Sequence, residues 1–388
     1  MMRSNHTRTF AMLGAVSLMT LASSCLKDKA VPLYDDKPLA PVVYNWAATA
    51  DSVQDRTYTS FLAANGKYFK ENNADKTTFH YWPNAHVLDV LVDAYVRTNN
   101  DVYKQRMLSL LNGIKESNGY KFQNNFYDDM EWLALSALRS YEVTNNSAYL
   151  DAVNVLWTDI KTGRNSIEGG GIGWTKDRNY FKNTPANAPA IIFAARLYRV
   201  QKNAADLQIA RELYQWLKGK LVDPANGILW DGVNYNNDGA ITKNKYTYNQ
   251  GVFIGAGLEL YKTTNEVGFL NDAIRTANAT IKDLELSPGG LLKDEGQGDG
   301  GLFKGILIRY LTLLVQEPAV PKSDKDAIIN FLNFNATTMY TQGISRPQLL
   351  INSNWKSKPG ATVDLTTQIS GLMMLEAAAT LNKQGLIK

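Results

Sequence analysis

The sequence predicts an all-α protein, and three observations carry that prediction. Apolar residues recur at helical spacing almost without interruption from residue 44 to residue 383. The segments between them alternate between short polar turns and long loops rich in Gly and Asn. Apolar content is 45% and charged content 20%, which is enough to bury a large core and argues against disorder.

The helical segments run near 44–70, 84–97, 101–116, 129–143, 147–161, 185–201, 204–219, 247–264, 266–284, 301–316, 323–340 and 364–383. Segment 204–219 shows the pattern: Leu207, Ala210, Leu213, Tyr214 and Leu217 form one stripe, while Arg211, Gln215 and Lys218 point elsewhere. Twelve helices pair into six hairpins, at roughly 55 residues each. Six hairpins can close into a ring with buried inner helices and amphipathic outer ones. An open helical solenoid fits the same periodicity. The short links include Asn145-Asn146 and Asn265, and the long ones 163–184, 223–246 and 286–300. One end is therefore expected to be elaborated, and function usually sits on such loops.

The N-terminus reads as a targeting segment. Arg3 and Arg8 supply positive charge, Phe10 to Ala22 an apolar stretch, and Ala22-Ser23-Ser24 small residues before Cys25. This resembles a bacterial lipobox, with residues 1–25 removed up to a lipidated Cys25. Leu21 stands four positions before the cysteine rather than the usual three. An ordinary secretory signal with a chance cysteine is the alternative. Leu26-Lys27-Asp28-Lys29 resembles a charged surface-export tag. Residues 26–42, with Pro32, Pro38 and Pro41, read as a tether, leaving 43–388 as the folded domain. The expected location is outside the cytoplasm, on an outer membrane facing the periplasm or the cell surface, with the lipid as the only membrane contact.

Composition removes several function classes. Net charge is +4 with no basic run, so nucleic acid is not an expected partner. Cys25 is the only cysteine, and the three histidines, His6, His80 and His86, have no i, i+4 partner. Zinc chemistry and a Ser-His-Asp triad are therefore not expected. The 20 Tyr and 8 Trp exceed ordinary core needs and suit stacking on carbohydrate.

The chemistry-bearing stretch is Asn124-Asn125-Phe126-Tyr127-Asp128-Asp129-Met130-Glu131-Trp132. Asp128 to Glu131 fits a capping box, with Asp128 as N-cap and Glu131 reaching back. That reading leaves Asp129 unexplained. Adjacent carboxylates at a helix mouth repel each other, unless one stays ionised at the helix N-terminus and the other is pushed towards protonation. Cleavage of a sugar linkage needs that asymmetry.

Other stretches are weaker. Gly169 to Gly173 before Trp174 lets backbone approach a ligand, or forms a turn with the indole packed beneath it. Gly296-Gln297-Gly298-Asp299-Gly300-Gly301 has the letters of a dinucleotide fingerprint, but no strand leads into it. Asp294, Glu295 and Asp299 lack the spacing of a calcium loop. Tyr81-Trp82-Pro83-Asn84-Ala85-His86, Trp230-Asp231-Gly232 and Tyr246-Thr247-Tyr248-Asn249-Gln250-Gly251 each precede or join a predicted helix. Their recurrence suggests one groove lined from several loops, with His86 read as a hydrogen-bonded core residue.

Taken together, these stretches resemble glycoside hydrolase family 76, the endo-α-1,6-mannanases. The resemblance is carried by Tyr127 to Leu135, Gly169 to Trp174, Tyr248 to Gly251, Gly300 to Gly305 and Thr366 to Gly371, across residues 80–380. It implies an (α/α)6 barrel and retaining hydrolysis of α-1,6-linked mannose chains. By position, Asp128 is then the nucleophile and Asp129 the acid/base. Asn124, Asn125, Trp174, Asp231, Tyr248 and Gln250 are implied as substrate contacts. The family uses no metal or organic cofactor. The expected partner is α-mannan polysaccharide or oligosaccharide, and the chain is expected to act as a monomer. The competing reading is a non-catalytic helical glycan-binding lipoprotein, which does not require the paired aspartates.

Overall fold

The computed structural model describes residues 43–388; the expected signal segment with Cys25, and the tether 26–42, lie outside the described residues. Twelve helices follow in order: α1 Trp46–Phe61, α2 Tyr81–Thr98, α3 Asp101–Ser117, α4 Tyr127–Thr144, α5 Ser147–Ile160 and α6 Ala188–Gln201. Then come α7 Ala204–Leu221, α8 Thr247–Thr264, α9 Val267–Lys282, α10 Gly300–Val315, α11 Lys322–Thr338 and α12 Leu365–Lys383. None of the described helices is long and apolar enough to cross a membrane.

The even-numbered helices form an inner ring in which α2, α4, α6, α8, α10 and α12 each pack on the next. Helix α12 also packs on α2, which closes the ring. The fold is an (α/α)6 barrel, not an open solenoid. Helices α3, α5, α7, α9 and α11 cover the inner helix that precedes each of them, and α1 covers α12. The sixth hairpin is thus assembled from the two ends of the domain. Inner helices α8 and α12 are buried on nearly every face. Glycines let them approach: a Cβ on Gly251 would lie 2.6 Å from Leu307 Cα, and one on Gly305 2.7 Å from Ser370 Cα.

One end of the barrel has short turns with a shared design. Asn99, Asn145, Lys202 and Asn265 close inner helices in the left-handed conformation. Asn tolerates that conformation better than most residues. After three of them, Asn100, Asn146 and Asn203 cap the outer helices by accepting a backbone N–H two residues on. Each such cap contributes about 1 kcal/mol.

The same end is bound by buried ion pairs across the barrel. Arg139 and Arg309 hold Asp93 at 2.7 and 2.6 Å and also contact Asp89. Arg196 and Arg199 hold Glu259. Burial pushes the Glu259 carboxyl up, but the two guanidiniums outweigh it and bring it down to about 2.

The predicted helix 44–70 ends early, at Phe61. Asn65-Gly66 makes a turn, with Gly66 at φ +71°, and residues 62–80 form a loop with bridges Leu62–Phe69 and Lys70–Phe79. At this opposite end lie the long loops and the N-termini of all six inner helices. Strands β1 Lys182–Asn183, β2 Gly232–Val233 and β3 Ile241–Thr242 pair antiparallel in that order. They join the α5–α6 and α7–α8 loops on the side of α6 and α8.

Candidate active site

The long-loop end holds a cleft of about 640 Å³, reached by the first turns of α2, α4, α8 and α10. One wall carries Trp82, Tyr246, Tyr248 and Phe303; the other carries Phe126, Trp174, Phe181 and Tyr235. Tyr248 stacks on Phe303 with centroids 3.8 Å apart and planes 3° from parallel. Trp174 makes edge contacts with Phe126 and Phe181. Five carboxylates line the cleft: Asp128, Asp129, Asp231, Glu295 and Asp299. None of the lining residues is Lys or Arg.

Asp128 and Asp129 sit in the first turn of α4, but the capping box is absent. Phe126 is the N-cap, and the first N–H of the helix, on Tyr127, bonds the Trp174 carbonyl at 3.0 Å. Glu131 does not reach back. It is fully buried, and neither of its carboxylate oxygens has a hydrogen-bond partner among the described residues. Burial, and then the charge of Asp128, push its pKa well up.

The two aspartates have unequal surroundings. Asp128 Oδ1 accepts the Asp129 N–H at 3.0 Å, and Oδ2 accepts the Trp174 indole N–H at 3.1 Å. Asp129 Oδ2 accepts from the Asn124 side chain at 2.9 Å. Burial raises both carboxyls. For Asp128 the Asp129 N–H and the indole pull back towards the ionised form. For Asp129 the neighbouring charge of Asp128, and then of Asp299, push further towards the protonated form. Asp128 therefore ionises first, and the pair holds one proton on Asp129 over the range between the two steps.

Asp231 also lines the cleft. Burial pushes it up to about 6, against a bond from the Asn249 amide at 3.2 Å. Glu295 accepts the Thr247 N–H at 3.0 Å and also its hydroxyl. Among the described residues no group of three or more His, Cys, Asp or Glu is arranged to hold a metal ion. The 296–301 stretch is a turn with Gly296 and Gly298 at positive φ, leading into α10 rather than out of a strand.

Asp128, Asp129, Trp174, Asp231 and Tyr248 thus meet in one cleft. Trp174 is more than a stacking surface, because its indole N–H is aimed at Asp128. Asn124 stands behind Asp129 rather than on the cleft wall. Asn125 bonds Asp177 at 2.8 Å and lines a separate depression, so it does not face the pair. Gln250 is fully buried. Its amide bonds the Leu229 N–H, the Leu229 carbonyl and the Tyr246 carbonyl at 2.8, 3.0 and 3.1 Å. It pins the 222–246 loop to α8 and has no atom left for a sugar. The glycines at 169–171 do not approach the cleft either: a Cβ on Gly170 or Gly171 would meet the Trp216 ring.

His86 is a core residue, as expected, but its Nε2 has no partner among the described residues. It packs between Trp82 and Trp132, and burial takes its pKa down to about 3. Trp82 lies in one of the stretches read as groove-lining, whereas Phe303 and Asp299 are wall residues the sequence reading does not name as contacts. Trp82 Nε1 donates to Asp299 at 3.0 Å, linking α2 to the start of α10. Trp82 and Phe303 carry a signal in sequence as aromatics within the first turn of an inner helix, α2 and α10.

Residues 45–388 match the sequence profile of glycosyl hydrolase family 76. The chain belongs to that family. It is similar in structure to the GH76A α-1,6-mannanase from Salegentibacter sp. HEL1_6, with a TM-score of 0.85, 44% identity, and coverage of 87% of this chain and 100% of that one. An inactive variant of that mannanase, with two consecutive aspartates replaced by asparagine, has been solved with α-1,6-mannotriose. The Lin0763 protein from Listeria innocua is also similar, with a TM-score of 0.82, 36% identity, and coverage of 88% and 99%. Among fungal proteins, the mannan endo-1,6-alpha-mannosidase DCW1 of Eremothecium gossypii is 26% identical over 228 residues, 55% of this chain. The chain spans less than two thirds of such relatives: 46% of DCW1, and 62% of a Schizosaccharomyces pombe protein 24% identical over 276 residues, 64% of this chain.

Proposed function

We propose that this protein is a retaining endo-α-1,6-mannanase acting on mannan outside the cytoplasm. The observation that carries the reading is the adjacent carboxyl pair, both raised by burial but Asp129 further than Asp128, set among the aromatic side chains of the cleft. Asp129, held protonated, gives its proton to the glycosidic oxygen. Asp128, the carboxyl of the pair that ionises first because the indole and the Asp129 N–H favour its charged form, attacks the anomeric carbon from the other face. The bond to the leaving sugar breaks as the covalent mannosyl-Asp128 ester forms. Water, deprotonated by Asp129, then releases the sugar and restores both groups. Asp128 sits in the first turn of α4, where the partial positive charge of the helix N-terminus favours its ionised form.

The substrate class is supported by the similarity to the Salegentibacter mannanase and the fungal mannosidases. The need for an aspartate pair is supported by that inactive variant. Within residues 43–388 of this chain, Asp128-Asp129 is the one place where two aspartates are consecutive. The extracytoplasmic site is supported by the apolar N-terminal stretch and Cys25. Loss of membrane association in Cys25→Ala would uphold the lipid anchor, and unchanged fractionation would remove it.

Product stereochemistry tests the mechanism. A fresh digest of an α-1,6-manno-oligosaccharide, followed by proton NMR, should show the α-anomer first. Early β-anomer would mean inversion and would exclude Asp128 as nucleophile.

A further inference from the structure

A second depression, of about 190 Å³, opens where α12 meets α2. His80 and Asp299 line both it and the cleft, so the two are neighbours. One side of it is built by the loop after α1, residues 62–80, whose first part the helical periodicity read as helix. The Glu71 carbonyl accepts the Leu365 N–H at 2.8 Å, and the Val363 N–H bonds the Asn73 side chain at 2.7 Å. The Gly298 N–H bonds Asp364 Oδ2 at 2.9 Å, and Thr366 Oγ1 donates to the Gly298 carbonyl at 2.5 Å. Three distant chain segments are stitched together here, so the depression exists before any ligand arrives.

Its chemistry is amphipathic. Phe69, Pro83 and Leu365 give apolar surface, and Glu71, Asp299 and Asp364 bring carboxylates. A pyranose presents the same combination: C–H groups on a ring face and hydroxyl donors around its edge. Carboxylates accept stronger hydrogen bonds from hydroxyls than neutral acceptors do. Three carboxylates line the depression and no Lys or Arg does, Lys76 pairing with Glu71 from outside the lining, so an anionic substituent would meet an excess of negative charge. We propose that this depression binds one further neutral hexose of the substrate chain, remote from the bond that is cut. The proposal rests on the glycan-hydrolase reading above.

The test is a length series. kcat/KM is measured on linear α-1,6-manno-oligosaccharides of increasing length, for the wild type and for Glu71→Ala. Glu71 is partly exposed, and its contacts with Lys76 and His80 are surface pairs, so the fold should survive. Wild-type kcat/KM should step up at the length that first fills the depression. Glu71→Ala should lack that step, losing about tenfold through KM at and beyond that length. Glu71→Gln, which keeps an acceptor without the charge, should fall between. The same ratio of variant to wild type at every length would overturn the proposal. Absence of wild-type turnover at all lengths would instead overturn the hydrolase reading. The same series read as calorimetric affinity then decides: a length step lost in Glu71→Ala upholds the depression, and no step refutes it.

Discussion

Replacing Trp174 with Phe removes one hydrogen bond and little else. The indole N–H donates to Asp128 Oδ2 at 3.1 Å. Phe can keep the edge contacts with Phe126 and Phe181, and the cap on α4 survives because Tyr127 N–H bonds a backbone carbonyl. A hydrogen bond to a charged group contributes about 1.5–3 kcal/mol, so its loss should raise the proton affinity of Asp128 by about 1–2 pH units. The sign follows from the role: burial already lifts this carboxyl, and the indole is one of the groups holding it down. Attack needs Asp128 ionised, so the acid limb of the kcat/KM profile should move upward and the bell should narrow. The alkaline limb, set by Asp129, should move much less. A pH profile of the purified variant against wild type, with thermal midpoints as a fold control, reads this directly. An acid limb that stays where it was, with the fold intact, would refute the assignment of Asp128 as the group that must be ionised.

Asn124→Ala should act on the other limb. Without the 2.9 Å donor to Asp129, that carboxyl keeps its proton to higher pH, moving the alkaline limb up by about half to one unit; an unmoved limb would count against Asp129 as the acid. Gln250→Ala should cost about 1–3 kcal/mol in urea unfolding, from the Leu229 and Tyr246 groups left unpaired, while KM stays close to wild type; a KM effect without loss of stability would return Gln250 to the sugar site. Glu259→Gln should destabilise by about 3–5 kcal/mol, because it leaves Arg196 and Arg199 without their buried partner charge. Since the folded pKa of Glu259, about 2, lies below its usual 4.5, the wild type should lose this contribution as pH falls through that interval, and the variant should show a flatter acid unfolding curve there.

The parts of this protein legible in sequence are those governed by local rules. Helix periodicity located all twelve helices, and Asn145-Asn146 announced a turn because one asparagine takes the left-handed cap and the next caps α5. The helix over 44–70 ran too far because Leu62, Ala63, Tyr68 and Phe69 continue an apolar spacing across the Asn65-Gly66 turn. Ring closure was not legible from periodicity, since it depends on α12 meeting α2 from opposite ends of the domain. Within the site, Asp128 and Asp129 stood out because two adjacent acids at a helix mouth need a reason. Gln250 and Glu131 misled for the same reason as each other: a polar residue near a motif reads as exposed. Their burial is set by neighbours far away in sequence, Leu229 for one and the packed barrel centre for the other. The donor role of Trp174 was hidden likewise, because 46 residues separate it from Asp128.

The measurement that bears most directly on the central claim is hydrolysis of linear α-1,6-manno-oligosaccharides by the chain beginning after Cys25, beside Asp128→Asn and Asp129→Asn. Wild-type turnover, with both variants folded and inactive, is the predicted result. Turnover retained by Asp128→Asn, or none by the wild type on any length, would contradict the account.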